Sequence, residues 1–321
     1  MGDQGDPLGP FNRYYSRQRN PTVELRSHDA TEGYMDFLLA NTEASVANTL
    51  RRVILSHVPT IAIELVGIEE NTSPLPDEYL AHRLGLVPLV SSAEVHRFHT
   101  IYEAEDAEDF PEAELSLALT NTSGENVVVT TNMLKIDQQY PSIRPVGFDE
   151  SDPSGGIPIV KLAQNQSVRL TAIARKGIGK DHAKFQPVAT AVFQYVPDIR
   201  INQALFAQLS DEEKQELVDA DPNSTLAINA VTGELEVPEP ERYAWDEEVL
   251  RKSEELGKPG LLTIKAKDQY VFKVESLKQL TCPEIAASAF EVITKKLRGL
   301  LAHVEGADVA AQAEDLEMDQ S

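Results

Sequence analysis

The stretch Asn41-Thr-Glu-Ala-Ser-Val-Ala-Asn-Thr-Leu-Arg-Arg-Val-Ile-Leu-Ser-His-Val-Pro59 decides how the rest of the chain is read. Val46, Leu50, Val53 and Ile54 recur at helical spacing, while Arg51 and Arg52 fall off that stripe. Asn41 or Thr42 offers an oxygen to cap the first turn, and Pro59, which has no N–H to continue the ladder, ends the helix. On the N-terminal side Val23 and Leu25 alternate with polar neighbours, a turn falls at Glu32-Gly33, and Tyr34 to Ala40 is apolar enough for a buried strand; together these predict a hairpin. On the other side Ile61, Ile63 and Leu65 alternate as a strand. After the breakers Pro74 and Pro76 comes a short helix, Asp77 to about Leu84, with Gly85 placed to close it.

Farther on, Ser91 to Glu114 is acidic and irregular and is expected to be a solvated loop. Alternation near Leu115 to Leu119, Val127 to Thr131, Ile157 to Leu162 and Val168 to Ala174 predicts a β-rich module, broken by the turn Asp152 to Gly156. Ala189 to Tyr195 returns to strand character, and Ser210 with Glu213 forms a capping box before a helix over Asp211 to Ala220. Residues 221–245 are expected to be a connecting excursion. Leu262, Ile264 and Ala266, then Tyr270, Phe272 and Val274, predict a second hairpin turning at Lys267 to Gln269. A long final helix opens with Thr281 as N-cap and Pro283 near its first position. Phe290, Ile293, Leu297, Leu300 and Val304 recur along it at steps of three and four, with Lys295, Lys296 and Arg298 on another side.

Composition narrows the function. Twenty-nine Lys and Arg against 52 Asp and Glu give a net charge of -23, which opposes any binding mode that neutralises many phosphates. Direct, sequence-specific DNA binding is therefore not expected. A local basic patch can still dock on a protein, because association depends on the field at the patch. Cys282 is the single cysteine, which excludes an intrachain disulfide and any site built from several thiolates. No run approaches the ~18 apolar residues of a membrane span, and residues 1–20, with Arg13, Arg17 and Arg19 among Gly and Pro, read as a flexible leader without a signal-peptide core. Cytosol or nucleus are the compartments expected.

Three words in the sequence carry a resemblance. A small-residue helix ending in Leu50-Arg51-Arg52 before a proline is similar to the first helix of the α-like subunits of multisubunit RNA polymerases. Asp77-Glu-Tyr-Leu-Ala-His-Arg-Leu-Gly-Leu-Val-Pro-Leu89 resembles that family's most recognisable segment. Lys176-Gly-Ile-Gly-Lys-Asp-His-Ala-Lys-Phe-Gln-Pro187 resembles the place where an inserted domain rejoins the pairing domain. Pro197-Asp-Ile-Arg-Ile-Asn202, Tyr243-Ala-Trp-Asp-Glu-Glu-Val-Leu250 and Gly257-Lys-Pro-Gly-Leu261 look like the plant-type form of the third-largest subunit of RNA polymerase II. The likeness runs from about Thr22 to Val304.

The resemblance implies an α+β, α-like polymerase-subunit fold. A discontinuous dimerisation domain, residues 21–59 and 187–305, would combine an antiparallel sheet with two long helices and carry a β-rich insert over 60–186. An acidic flexible tail is expected over 306–321. It further implies a non-catalytic assembly subunit in the nucleus that heterodimerises with the smaller α-like subunit through Val46, Leu50, Ile54, Phe290, Ile293, Leu297, Leu300 and Val304. By pattern alone the long seam would sooner pack inside its own chain, the usual fate of such a helix, and it is the resemblance that turns it toward a partner. The second-largest polymerase subunit would be reached by Arg51, Arg52, Lys180, His182 and Lys184, with small accessory subunits also bound. Arg51 and Arg52 suit this because a guanidinium makes planar bidentate contacts that lysine cannot copy. His82 and Arg83 either join them or satisfy local carbonyls.

No cofactor and no metal are expected. Many third-largest subunits carry a zinc loop of close cysteines after the Arg-Leu-Gly-Leu word, whereas here Ser91 to Pro111 holds none, so that segment must be shorter, looser or held by partners. His96 and His99 beside Glu103, Glu105 and Asp106 are read as surface histidines next to an acidic loop rather than as ligands. Gly177 and Gly179 with Lys180 lack the remaining residues of a phosphate-binding loop. An enzyme reading finds only scattered carboxylates and histidines without a supporting motif. The nearer rival is the equivalent subunit shared by polymerases I and III: Lys184-Phe185 and Pro187-Val-Ala-Thr-Ala191 look like that form, while Val87-Pro88-Leu89-Val90-Ser91 and Val160-Lys161-Leu162 look like polymerase II.

Overall fold

The structure, a computed structural model, describes residues 20–99 and 111–318, with side chains as far as Val304. The leader over 1–19, the acidic residues Glu103, Glu105, Asp106, Glu108 and Asp109, and the last three residues lie outside the described residues. Two compact units form. Among the described residues, one gathers residues 20–26, Asp36–Ala47 and Phe193–Phe272; the other gathers Ser27–Met35, residues 48–99 and 111–192, and residues 273–318.

β1 (Thr22–Asp29) and β2 (Tyr34–Ala40) are the expected hairpin; with β8 (Val188–Ile201) and β11 (Leu262–Ser276) they form a four-stranded sheet of order β1-β2-β11-β8. Its turn needs a left-handed residue, supplied by Gly33 at φ 73°, and the Asp29 carboxylate accepts the N–H groups of Thr31 and Glu32. Helix α1 (Ala44–Ser56) follows. Neither expected cap performs that role: Asn41 takes φ 58° and donates its N–H to Asp268 O, and the carbonyl of Glu43 receives the first helical N–H groups.

The second unit is built on the antiparallel sheet β3-β7-β4, from β3 (Pro59–Asn71), β4 (Ala113–Thr120) and β7 (Ser167–Ile178). The ribbon of β5 (Val127–Thr130) with β6 (Pro158–Leu162) belongs to it too. α2 (Asp77–Gly85) lays Leu80 and Leu84 into the core among Ile61, Ile63, Leu115, Leu170 and Phe98. Gly85 is still helical, and the helix closes through the Leu86 N–H onto the carbonyls of His82 and Arg83 instead of a left-handed glycine.

The start of the segment expected to be a solvated loop is not one. Val95 and Phe98, three residues apart in a turn, are buried, and Ser91 Oγ receives the Ile61 N–H at 3.0 Å. Burying Phe98 fully contributes roughly 1.5–3 kcal/mol, which anchors this segment by packing. His96 and His99 stay exposed, and among the described residues no group of three His, Cys, Asp or Glu side chains is placed to hold a metal.

β8 and β11 complete the four-stranded sheet. β11 corrects the second-hairpin expectation: it is one strand of 15 residues. Leu262, Ile264, Ala266, Tyr270, Phe272 and Val274 all share even parity, so a single strand keeps them on one face and Lys267-Asp268-Gln269 brings no turn residue to break it. Phe272 stacks on Phe37 with ring centroids 4.8 Å apart.

Residues 203–261 are more than a connection. A short turn α3 (Gln203–Phe206), α4 (Asp211–Asp219) with its reciprocal Ser210–Glu213 box, the small pair β9 (Ala227–Ile228) and β10 (Leu235–Glu236), and α5 (Glu248–Glu255) enclose Phe206, Leu217, Leu235 and Val249. The last helix, α6, is longer than expected. It runs Cys282–Met318, so the backbone assigned to the acidic tail is helical to 318, in keeping with its alanines.

Candidate subunit interface

α6 is started by a reciprocal cap. The Glu284 carboxylate accepts the Thr281 N–H and hydroxyl, both at 2.8 Å, and Thr281 Oγ1 accepts the Glu284 N–H at 3.4 Å. Cys282 donates its thiol to Gly33 O, and Ile285 and Ala289 are fully buried, so the first two turns are fixed to their own unit. From Thr294 to Val304 every residue is exposed. Along that length Leu297, Leu300, Leu301 and Val304 are 60, 63, 58 and 56% exposed, and Phe290 is exposed before them. With ~1.5 Å of rise per residue, the stripe from Phe290 to Val304 is about 21 Å long. Leu301 belongs to it, four residues after Leu297, a step that sequence reading passed over.

α1 carries the same kind of seam to a different end. Leu50 and Ile54, expected at the pairing face, are fully buried in the chain's own interior; of the three α1 positions expected there, only Val46 is presented to solvent. Arg51 folds back, its Nε and Nη2 donating to Asn48 Oδ1 at 3.1 and 2.9 Å, whereas Arg52 is exposed.

Where the C-terminal half of α1 meets α6, a groove of about 280 Å³ opens between Thr49, Arg52, Val53 and His57 on one side and Ile293, Lys296 and Leu297 on the other. The word Lys176 to Pro187 closes its end: the Lys180 N–H donates to Ser56 O at 2.8 Å. The glycines of that word serve close approach. A Cβ on Gly179 would stand 2.6 Å from Leu55 O, and one on Gly177 2.5 Å from the Phe185 ring. His57 accepts or donates at Nδ1 with Ser56 Oγ at 2.7 Å, and partial burial, then Lys296, Lys180 and Arg52, hold its pKa below the ordinary value against the opposing pull of Asp181. Burial, then Lys180, also pushes Lys296 down.

The other expected contact residues divide. Lys180 and His182 are exposed, His182 accepting the Lys184 N–H to cap a 3-10 turn over Ala183–Phe185. Lys184 is not available to a partner. Its side chain is 12% exposed, pairs with Glu64 at 2.5 Å, donates to Ile63 O and lies 5.1 Å from the Phe185 ring centroid. Arg83 satisfies carbonyls of its own chain, though distant ones and not those of its helix, donating to Ile159 O and Pro158 O at 3.0 and 2.6 Å; His82 remains exposed. Among the described residues no helix is long and apolar enough to cross a membrane.

Against this geometry, residues 66–196 match the RNA polymerase Rpb3/RpoA insert domain. The chain is 41% identical over 291 residues to the DNA-directed RNA polymerases II, IV and V subunit 3 of Arabidopsis thaliana, covering 87% of this chain and 90% of that one. It is 36% identical to the RNA polymerase II subunit rpb3 of Dictyostelium discoideum, covering 87 and 93%. The RNA polymerases I and III subunit RPAC1 of Homo sapiens is similar at 30%, covering 88 and 84%, which leaves the polymerase II reading ahead of its nearer rival. The chain belongs to the α-like, Rpb3 family of DNA-directed RNA polymerase third subunits.

Proposed function

We propose that this protein is a non-catalytic assembly subunit of nuclear RNA polymerase II that pairs with the smaller α-like subunit and presents the pair to the second-largest and small accessory subunits. Catalysis belongs to other chains. The observation that carries the reading is the stripe Phe290, Leu297, Leu300, Leu301 and Val304 on α6, whose described residues are exposed without interruption from Thr294 to Val304. An apolar strip of this length is a recognised mark of a helix partner. Ile293 would extend the contact, while Arg52, Lys180 and His182, all exposed, would face a large subunit. The division into a split pairing domain, 21–59 with 187–305, around an insert over 60–186 is part of the proposal, and the insert-domain match over 66–196 supports it.

Leu297→Asp tests it. In co-expression with the smaller α-like subunit, the variant is expected to lose co-purification while keeping the urea midpoint of the wild-type chain, because an unpaired carboxylate would be buried only in the pair. Normal recovery of the partner would refute the interface.

A further inference from the structure

The pairing reading leaves open why two different α-like chains should pair and not two copies of this one. The charge around the groove bears on that. Between Ala44 and His57 there are two arginines and no carboxylate; between Phe290 and Val304 there are Lys295, Lys296 and Arg298 against Glu291 alone. This local excess of positive charge sits on a chain whose net charge is -23. Three cations, Arg52, Lys180 and Lys296, surround the groove lined by Val53, Ile293 and Leu297, with Asp181 the opposing charge near His57. None of the three has an ion-pair partner among the described residues, whereas Arg175 and Lys184 in the same unit each have one. On α6, at about 100° per residue, Lys296 and Arg298 border the Leu297 stripe on either flank while Lys295 points to the opposite side.

Resting on the pairing reading above, we propose that this basic rim selects the partner: Arg52, Lys180 and Lys296 around an apolar groove resist a second copy of the chain and draw in an α-like partner whose pairing helix presents carboxylates beside its apolar residues. A self-complementary dimer sets the same patch on both sides of its axis, so two such rims would approach each other. Like charges brought together at a contact disfavour that pairing, and opposite charges steer and fix the right one. The apolar stripe supplies adhesion to either candidate, and the rim decides between them.

The full chain, alone and co-expressed with the smaller α-like subunit, tests this by sedimentation over a salt series with three forms: wild type, the double variant Lys180→Glu with Lys296→Glu, and Lys295→Glu as a control on the far side of α6. Alone, the wild type is expected to be monomeric at low salt, with self-association rising as salt screens the rims. The double variant is expected to bind the smaller subunit at least about tenfold more weakly at low salt, with the loss shrinking as salt rises, and Lys295→Glu is expected to bind as the wild type does. Circular dichroism and the urea midpoint establish that each form is folded; should the double variant not fold, Lys296→Gln alone carries the same comparison with a smaller expected loss. A wild type that pairs with itself at low salt as tightly as with the smaller subunit overturns the proposal. So does a folded charge-reversed variant whose affinity is unchanged. Failure of the wild type to recover the smaller subunit at any salt takes down the pairing reading as well, which distinguishes the two.

Discussion

α1 and α6 bear the same signature, a run of branched aliphatic residues at helical spacing with arginine or lysine to the side, and they end differently. In α1, Leu50 and Ile54 are fully buried within the chain; in α6, Leu297 and Leu300 are mostly exposed although their pattern is at least as regular. Periodicity reports which residues share a face. It does not report what covers that face. The covering is decided by the rest of the fold, which buries Leu50 and Ile54 of α1 and, on α6, Ile285 and Ala289 in the first two turns.

The sharpest way to break this contrast is to truncate one residue of each seam. Leu50→Ala should destabilise the isolated chain by about 2–5 kcal/mol, as buried leucine truncations do. Leu297→Ala should cost no more than about 0.5 kcal/mol, the range for surface changes. Urea unfolding of the two variants decides it, and equal losses would mean that the α6 stripe is packed within the chain.

A smaller effect concerns the end of the groove. Gly179→Ala places a Cβ against the Leu55 carbonyl, backbone that cannot swing aside, so about 1–3 kcal/mol of stability should be lost. The same change at Gly233, which an added Cβ would leave without contact within 4 Å but whose φ is 72°, tests backbone strain alone. If both variants lose equally, close approach is not what Gly179 provides.

The smallest expected effect is a pH dependence. The pKa of His57 is lowered in the folded chain, by burial first and then by its cationic neighbours, so the unfolded chain binds this proton more readily. The favourable contribution of neutral His57 is therefore complete above the ordinary imidazole value of about 6.5 and is lost as pH falls from there toward the folded value. Stability measured between pH 7.5 and 5 should fall slightly more for the wild type than for His57→Gln; identical slopes would remove His57 from the basic neighbourhood of the groove.

Local chemistry was legible where the partner lay within a few residues. The hairpin at Gly33, the reciprocal cap Ser210–Glu213 and Thr281 as the N-cap of α6 were readable because the groups that satisfy each other are adjacent in the chain, although the return contact from Glu284 was passed over. Lys184 and Arg83 were not, because their partners, Glu64 with Ile63 and Pro158 with Ile159, are 75 to 121 residues away. β11 failed differently. Its even parity was present in the sequence, but three polar residues in a row suggested a turn where the strand simply crosses solvent. At Phe98 the acidic company of the segment concealed an aromatic that joins the core. The groove could not have been foreseen, since Thr49, His57 and Lys180 meet Lys296 only once α1, the β7 end and α6 have folded together.

Hydroxyl-radical footprinting of the full chain, free and in its purified polymerase assembly, tests the central contrast most directly. Leu297, Leu300 and Leu301 should be labelled strongly in the free chain and protected on assembly, with Leu50 and Ile54 protected in both. Equal labelling of the three α6 leucines in the free and assembled states would contradict the account.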